Sequence, residues 1–158
     1  MAGTDTPGRA IPKPALILGL AGLIPFFAPA LGLWSRDPSL MHNALIMQFG
    51  YAAVILSFLG GVHWGRALAG DACRPNWARL LWSVTPATLG WALLLLPDPH
   101  VILGGFAVAF ALAYLVDRKA VAVGMFPAWY GRLRKILTIG VLTALILTLV
   151  AGYGTIAV

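Results

Sequence analysis

The sequence predicts an all-α, polytopic membrane protein, with five transmembrane helices and one amphipathic segment at the cytoplasmic interface. Three observations lead there. Of 158 residues, 60% are hydrophobic and only 10% are charged, whereas a soluble domain carries about 25% charged and about 45–50% apolar residues. The apolar residues gather in runs of bilayer length. Sixty per cent of the chain is roughly 95 side chains, enough for about five crossings at about 20 residues each. Stretches such as 93–96 and 144–150 do not alternate, so they are not the strands of a membrane β-barrel. The helix is the remaining structure that pairs every backbone group inside lipid.

The elements follow in order. The first span covers about 14–34. Lys13, the apolar run and Ala28-Pro29-Ala30 have the outline of a signal peptide with a small-residue cleavage site. The run is longer than an ordinary signal core, so a retained anchor is expected, kinked near its far end by Pro25 and Pro29. The second span covers about 42–66 and the third about 77–96, with Pro86 in its middle. The fourth, about 101–116, reaches only about 24 Å at 1.5 Å per residue and is expected to run a turn past Val116. In the connection at about 119–135, Phe126, Trp129, Tyr130 and Leu133 interleave with Arg132, Arg134 and Lys135. That mixture predicts an amphipathic segment lying in the interface, or a docking surface for a partner. The fifth span covers about 136–158. The loops at 35–41 and 97–100 are too short to hide a soluble domain, so 1–158 reads as a single membrane domain. The halves show no repeat.

Charge sets the expected orientation. The chain has eleven Lys plus Arg and five acids, all Asp, for a net charge of +6. With five spans, Arg9, Lys13, Arg66, Arg74, Arg79, Arg118, Lys119, Arg132, Arg134 and Lys135 share one side, and Arg36 alone lies on the other. The positive-inside rule then places the N-terminus in the cytoplasm or mitochondrial matrix and the C-terminus opposite. Basic residues beside apolar spans fit attraction to anionic lipid, and no nucleic-acid partner is expected. The aromatic belt agrees, with Trp64, Trp77, Trp82 and Trp129 toward one interface and Trp34 and Trp91 toward the other. No Asp, Lys or Arg falls mid-span, which argues against charge-relay transport, since such pathways place ionisable groups at membrane depth.

Small residues recur every fourth position on the second span (Ala53, Ser57, Gly61, Gly65, Ala69), on the fifth (Gly140, Ala144, Thr148, Gly152) and on the fourth (Gly105, Ala109, Ala113). Such stripes let backbones approach closely. They serve either internal packing or a surface kept for another subunit or a lipid. A neutral-solute path past Ser57, Thr85, Thr88 and Gln48, with a carbonyl freed by Pro86, is the alternative; a packing kink is the plainer reading of Pro86. Among the histidines, His42 and His100 open spans, and imidazoles at similar depth can hold haem or a metal. His63, set among glycines, Trp64 and Arg66, is expected to hydrogen-bond Asp71 or Asp117, as structural support or as a protonation switch. Asp117 is expected to pair with Arg66, Arg79, Arg118 or Arg134. The lone Cys73 forms no internal disulfide. There is no phosphate loop, nucleophile elbow, Cys/His metal spacing or carboxylate pair. No enzyme activity, metal or cofactor is therefore expected.

Three stretches, taken together, resemble a known family: Tyr51 through Gly65 (YAAVILSFLGGVHWG), Trp82 through Trp91 (WSVTPATLGW), and Asp117-Arg118 followed by Pro127 through Arg134 (PAWYGRLR) with Leu137-Thr138. The family is the transmembrane protein 69-like one called domain of unknown function 3429, and the likeness covers about 14–155. The resemblance implies a small multi-helix protein of the bacterial inner (cytoplasmic) membrane or the mitochondrial inner membrane, and no particular activity. It implies that Ser57, Gly61, His63, Trp64, Gly65, Pro86, Asp117, Pro127, Trp129, Tyr130 and Arg134 belong to the family signature. Tyr51-Ala52 stands where the family has Tyr-Gly. The functional expectation is an accessory, assembly or interaction subunit of a larger membrane complex, partnered by lipid, by other membrane subunits or by itself. The alternatives are a transporter or channel for a small neutral or lipidic molecule, and a haem- or metal-binding membrane protein.

Overall fold

A computed structural model describes residues 10–33, 37–69 and 77–156. The described chain is helices and turns without a strand: α1 (Lys13–Ala21), α2 (Ile24–Gly32), α3 (Pro38–Leu68), α4 (Trp77–Leu94), α5 (Pro99–Ala122) and α6 (Ala128–Ile156). Arg9, Trp34, Arg36, Asp71, Cys73 and Arg74 lie outside the described residues.

The first expected span is broken in two. Pro25 has no N–H to bond the carbonyl of Ala21, so α1 stops there and α2 restarts with Pro25 in its first turn. Across the break the Phe26 N–H turns to Leu23 O, and the Gly22 carbonyl is taken by the Tyr51 hydroxyl at 3.0 Å. The kink expected near the far end thus falls earlier, at Gly22–Leu23. The two long helices that follow begin alike. Asp37 caps α3 through Ser39 N at 2.9 Å and Leu40 N at 3.3 Å, and Asp98 caps α5 through His100 N at 2.8 Å. Each is followed by a proline whose fixed φ suits the first helical position. The bonds from Ser39 and from the His100 N–H, respectively, hold both carboxyls below the ordinary 3.8.

Four helical stretches are long and apolar enough to cross a bilayer: Lys13–Gly32, Pro38–Leu68, Pro99–Ala122 and Ala128–Gly152. The expectation of five apolar spans is corrected by α4. Its 18 residues include Arg79, Ser83, Thr85, Pro86, Thr88 and three tryptophans, which dilute its apolar character. It still runs antiparallel along α3, with Gly60 against the Ser83 carbonyl and Gly90 against Ala53. The fourth expected span reaches Ala122, beyond the 101–116 drawn from hydropathy alone.

The separate interfacial segment expected at 119–135 is not formed. Residues 119–122 finish α5 and 128–135 are the first two turns of α6. Between them is a tight reversal. The Met125 N–H bonds Ala120 O at 2.8 Å and the Gly124 N–H bonds Val121 O at 3.0 Å, the Schellman pattern that ends a helix through a left-handed residue. Gly124 supplies it at φ 73°. Phe126, Leu133 and Arg134 are buried as a result: the apolar side of the mixed segment faces the bundle rather than lipid headgroups.

The core collects Phe26, Phe49, Leu56, Phe106, Phe110 and Leu145 around Ala52 and Ala144. One polar layer crosses it. Gln48 Nε2 donates to Phe26 O at 3.0 Å, and the Thr148 hydroxyl lies 2.9 Å from Gln48 Oε1 and 3.0 Å from Ala144 O, with one proton to give.

Candidate functional site

The second polar layer, at the other end of α3, α5 and α6, is the candidate site. Asp117 is 2% exposed. Its Oδ1 lies 2.9 Å from His63 Nε2 and its Oδ2 accepts from Arg134 Nε at 2.6 Å. A carboxylate can only accept, so His63 Nε2 carries the proton in this bond. Each partner comes from a different long helix, which makes Asp117 the clasp of α3, α5 and α6. Of the partners expected for Asp117 the structure selects Arg134; for His63 it selects Asp117.

The surroundings hold this geometry. The His63 ring meets the edge of Phe126 at 5.1 Å and of Trp82 at 6.4 Å, and Phe126 packs on Tyr130 at 4.8 Å. Arg66 is spent elsewhere, its Nε donating to Met125 O at 3.0 Å, which ties α3 to the α5–α6 reversal. Arg118 lies 6.0 Å over the Tyr114 ring.

Beside the cluster opens a cavity of about 440 Å³ between α1, α2, α3 and α6. Its wall is almost wholly apolar, and Leu18 and Phe58 at its margin are largely exposed to the bilayer side. Three of its lining residues carry a polar atom that is closed off from the cavity by packing and has no hydrogen-bond partner among the described residues: the Tyr130 hydroxyl, Arg134 Nη2 and the Thr138 hydroxyl. All three are on α6 at four-residue spacing, hence on one stripe. Thr138 is the informative one. Thr85, Thr88 and Thr148 each lie within hydrogen-bond distance of the carbonyl four residues back, the usual refuge of a helical hydroxyl in an apolar setting. Thr138 is 4% exposed and does not use it.

The expected site residues therefore divide. His63, Asp117, Tyr130 and Arg134 come together, with Trp129 on the cavity wall. Trp64 is exposed on α3. Pro86 is buried in α4, its Cδ packed toward Gly60, as a packing proline does. Ser57 is exposed, and Thr85 and Thr88 are exposed on α4, so the neutral-solute path through Ser57, Thr85, Thr88 and Gln48 is not assembled. His63 lies at the opposite end of α3 from His42, away from the start of α5 where His100 stands. His63 is held by Asp117, His100 Nδ1 lies 3.3 Å from Asp98, and no group of three metal-ligating side chains forms among the described residues.

The packing stripes also divide. On α6, a Cβ at Gly140 would lie 2.6 Å from Leu23 Cδ1, Ala144 and Thr148 are buried, and Gly152 sits by His100. On α3 the expected stripe is off by one position. Ala53 touches Gly90, but Ser57, Gly61 and Gly65 point outward, and nothing described lies within 4 Å of a Cβ added at Gly61 or Gly65. The close approach is made by Gly60, where a Cβ would strike the Ser83 carbonyl. Two adjacent glycines cannot be told apart by four-residue spacing alone.

Helices of this length and composition, closing around buried polar clasps, define a polytopic α-helical membrane protein. The chain belongs to the family described as Protein of unknown function (DUF3429), whose model matches residues 11–150. It is 37% identical over 140 residues to Transmembrane protein 69 of Xenopus tropicalis and 31% identical over 140 residues to Transmembrane protein 69 of Mus musculus. Both matches cover 88% of this chain but only 54% and 56% of those proteins, so the chain spans about half their length. No solved structure matches it.

Proposed function

We propose that this membrane domain binds an amphipathic, lipidic molecule drawn laterally from the bilayer, as a carrier or transporter does. The observation that carries this is the 440 Å³ cavity with its almost wholly apolar wall and the exposed Leu18 and Phe58 at its margin. The volume falls within the roughly 300–1,000 Å³ of ligand pockets, whose walls are likewise predominantly apolar. The reading assigns no reaction and no cofactor. Protein purified in mild detergent is expected to carry a stoichiometric lipid by native mass spectrometry. A chain that is bare, and that stays bare after incubation with membrane lipid extract, would end this reading.

A second reading keeps the chain as an accessory or interaction subunit of a larger inner-membrane complex. The outward stripe of Ser57, Gly61 and Gly65, which nothing described covers, favours it, since such stripes accept a neighbouring helix. Gly61→Leu is then expected to leave the fold intact and abolish co-migration with a partner, or with a second copy, on a native gel. For both readings the distribution of basic residues supports an inner membrane, with the reversal at Gly124 on the cytoplasmic or matrix side.

A further inference from the structure

We infer that the cavity between α1, α2, α3 and α6 is a blind slot for one acyl chain of a lipid in the leaflet at the basic end of the bundle, the head staying outside at the interface. This rests on the proposed lipidic-ligand reading and names the part of the lipid that is held. The slot is about as long as one leaflet is deep. Its wall on α6 runs from Trp129 to Val141, a rise of about 18 Å at 1.5 Å per residue, against about 15 Å for half of a hydrocarbon core. The other walls keep the same direction. Gly19 lies against Leu133 and Leu137, and Gly140 against Leu23, so α1 and α2 run beside α6 from the same end. Ala15 and Trp129, each in the first turn of its helix, mark the shallow end. The deep end is closed. Phe26, Phe110 and Val141 are buried, and the rings of Tyr51 and Phe110 meet Phe26 edge-on at 5.1 and 5.8 Å.

The chemistry of the wall decides for chain over head. The Tyr130 hydroxyl, Arg134 Nη2 and the Thr138 hydroxyl are sealed by packing. The Tyr51 hydroxyl is given to Gly22 O, and Arg134 Nε to Asp117. A polar or ionised head placed in the slot would lose its water and gain no partner in exchange. A hydrocarbon chain asks only for contacts, and a slot left empty denies its lining atoms a neighbour on one side. Leu18 and Phe58, both largely exposed, leave the slot open sideways, so a chain enters from the leaflet without its head crossing apolar ground. The head then lies near Lys13, the exposed first residue of α1, two positions before Ala15. A solvated cation there draws an anionic head by about 1 kcal/mol, or about fivefold, so the slot is expected to discriminate little among heads.

The test uses the full chain in mild detergent and three probes: phosphatidylcholine brominated near the carbonyl end of its chains, phosphatidylcholine brominated near the methyl end, and phosphatidylglycerol brominated near the carbonyl end. Bromine quenches tryptophan on contact, and the Trp129 contribution is the difference between wild type and Trp129→Phe. Bromine near the carbonyl is expected to quench Trp129 saturably. Bromine near the methyl end is expected to lose most of that quenching, because it sits by Val141, about 18 Å deeper. The two heads are expected to half-saturate within about fivefold of each other. Ala15→Phe and Val62→Phe put a ring into the slot from α1 and α3 and are expected to abolish the saturable quenching, with the unfolding midpoint reporting that the fold is kept. The depth comparison needs neither variant. Stronger quenching by the methyl-end bromine, or saturable quenching that survives in a folded slot-filling variant, overturns the chain assignment while the lipidic-ligand reading stands. A larger preference between heads does the same, because a head site then exists. Saturable quenching by no probe also overturns it, and with bare protein by native mass spectrometry removes both.

Discussion

Asp117 is the residue on which the basic end of the bundle depends. It is the only carboxylate described inside a span, and it compensates a guanidinium that is itself 5% exposed. Removing one member of a buried pair leaves the other charged and unsolvated, at about 3–5 kcal/mol; an exposed pair would cost about 0–1 kcal/mol. Asp117→Asn keeps the shape, so the loss is read as electrostatic, and His63 loses its acceptor charge at the same time. The expected outcome is a large drop in the midpoint of thermal unfolding in detergent, with loss of helical signal. An unchanged midpoint would mean that the cluster is solvated and that Arg134 does not need its partner.

The elements show where the sequence was readable. Composition and run length were enough for helices, because lipid leaves the backbone few options. That Asp117 pairs with a nearby cation was readable, because a chain with so few acids gives each buried cation few partners; which of Arg66, Arg79, Arg118 and Arg134 it takes was not. The caps at Asp37 and Asp98 are written as Asp-Pro, a start signal that lies inside stretches whose length alone marks them as loops. The 130–134–138 spacing was equally present, but its meaning lies in which hydroxyls fail to find a carbonyl, and only packing settles that. The face of α3 is the clearest case. Ser83 carbonyl contact selects Gly60 over Gly61, a rotation of about 100° at 3.6 residues per turn that a glycine pair cannot declare. Hence Gly60→Ala is expected to cost about 1–3 kcal/mol, the range for overpacking a tight contact, because its methyl meets backbone that cannot swing aside. Gly61→Leu is expected to leave the unfolding midpoint near wild type. Equal losses from the two would mean that another helix covers the outward stripe.

At the scale of the whole molecule, the open question of topology is what α4 does, and connectivity answers where hydropathy does not. Contacts place the end of α3 beside the end of α5: His63 meets Asp117, and Arg66 meets Met125. The start of α5 lies at the opposite end, where His100 approaches Gly152. The chain leaving α3 must therefore travel the length of the bundle before α5 can begin, and α4 is the segment that does so, passing Gly60 with Ser83 and Ala53 with Gly90. Its 18 residues give about 27 Å at 1.5 Å per residue, close to the roughly 30 Å of a hydrocarbon core. Its polar residues are eased by position: the Ser83 and Thr85 hydroxyls bond carbonyls of their own helix, and Arg79 stands in the first turn, near an end. α4 is thus expected to cross beside α3, although it is not among the four stretches long and apolar enough to do so by themselves. Cys73, the only cysteine, falls in the α3–α4 connection and is a ready probe. A membrane-impermeant thiol reagent is expected to label Cys73 from one side, and Leu96→Cys in a Cys73→Ser background from the other. Labelling of both positions from the same side would show that α4 lies along the membrane surface, and the contacts of Gly60 and Gly90 would then have to be rebuilt.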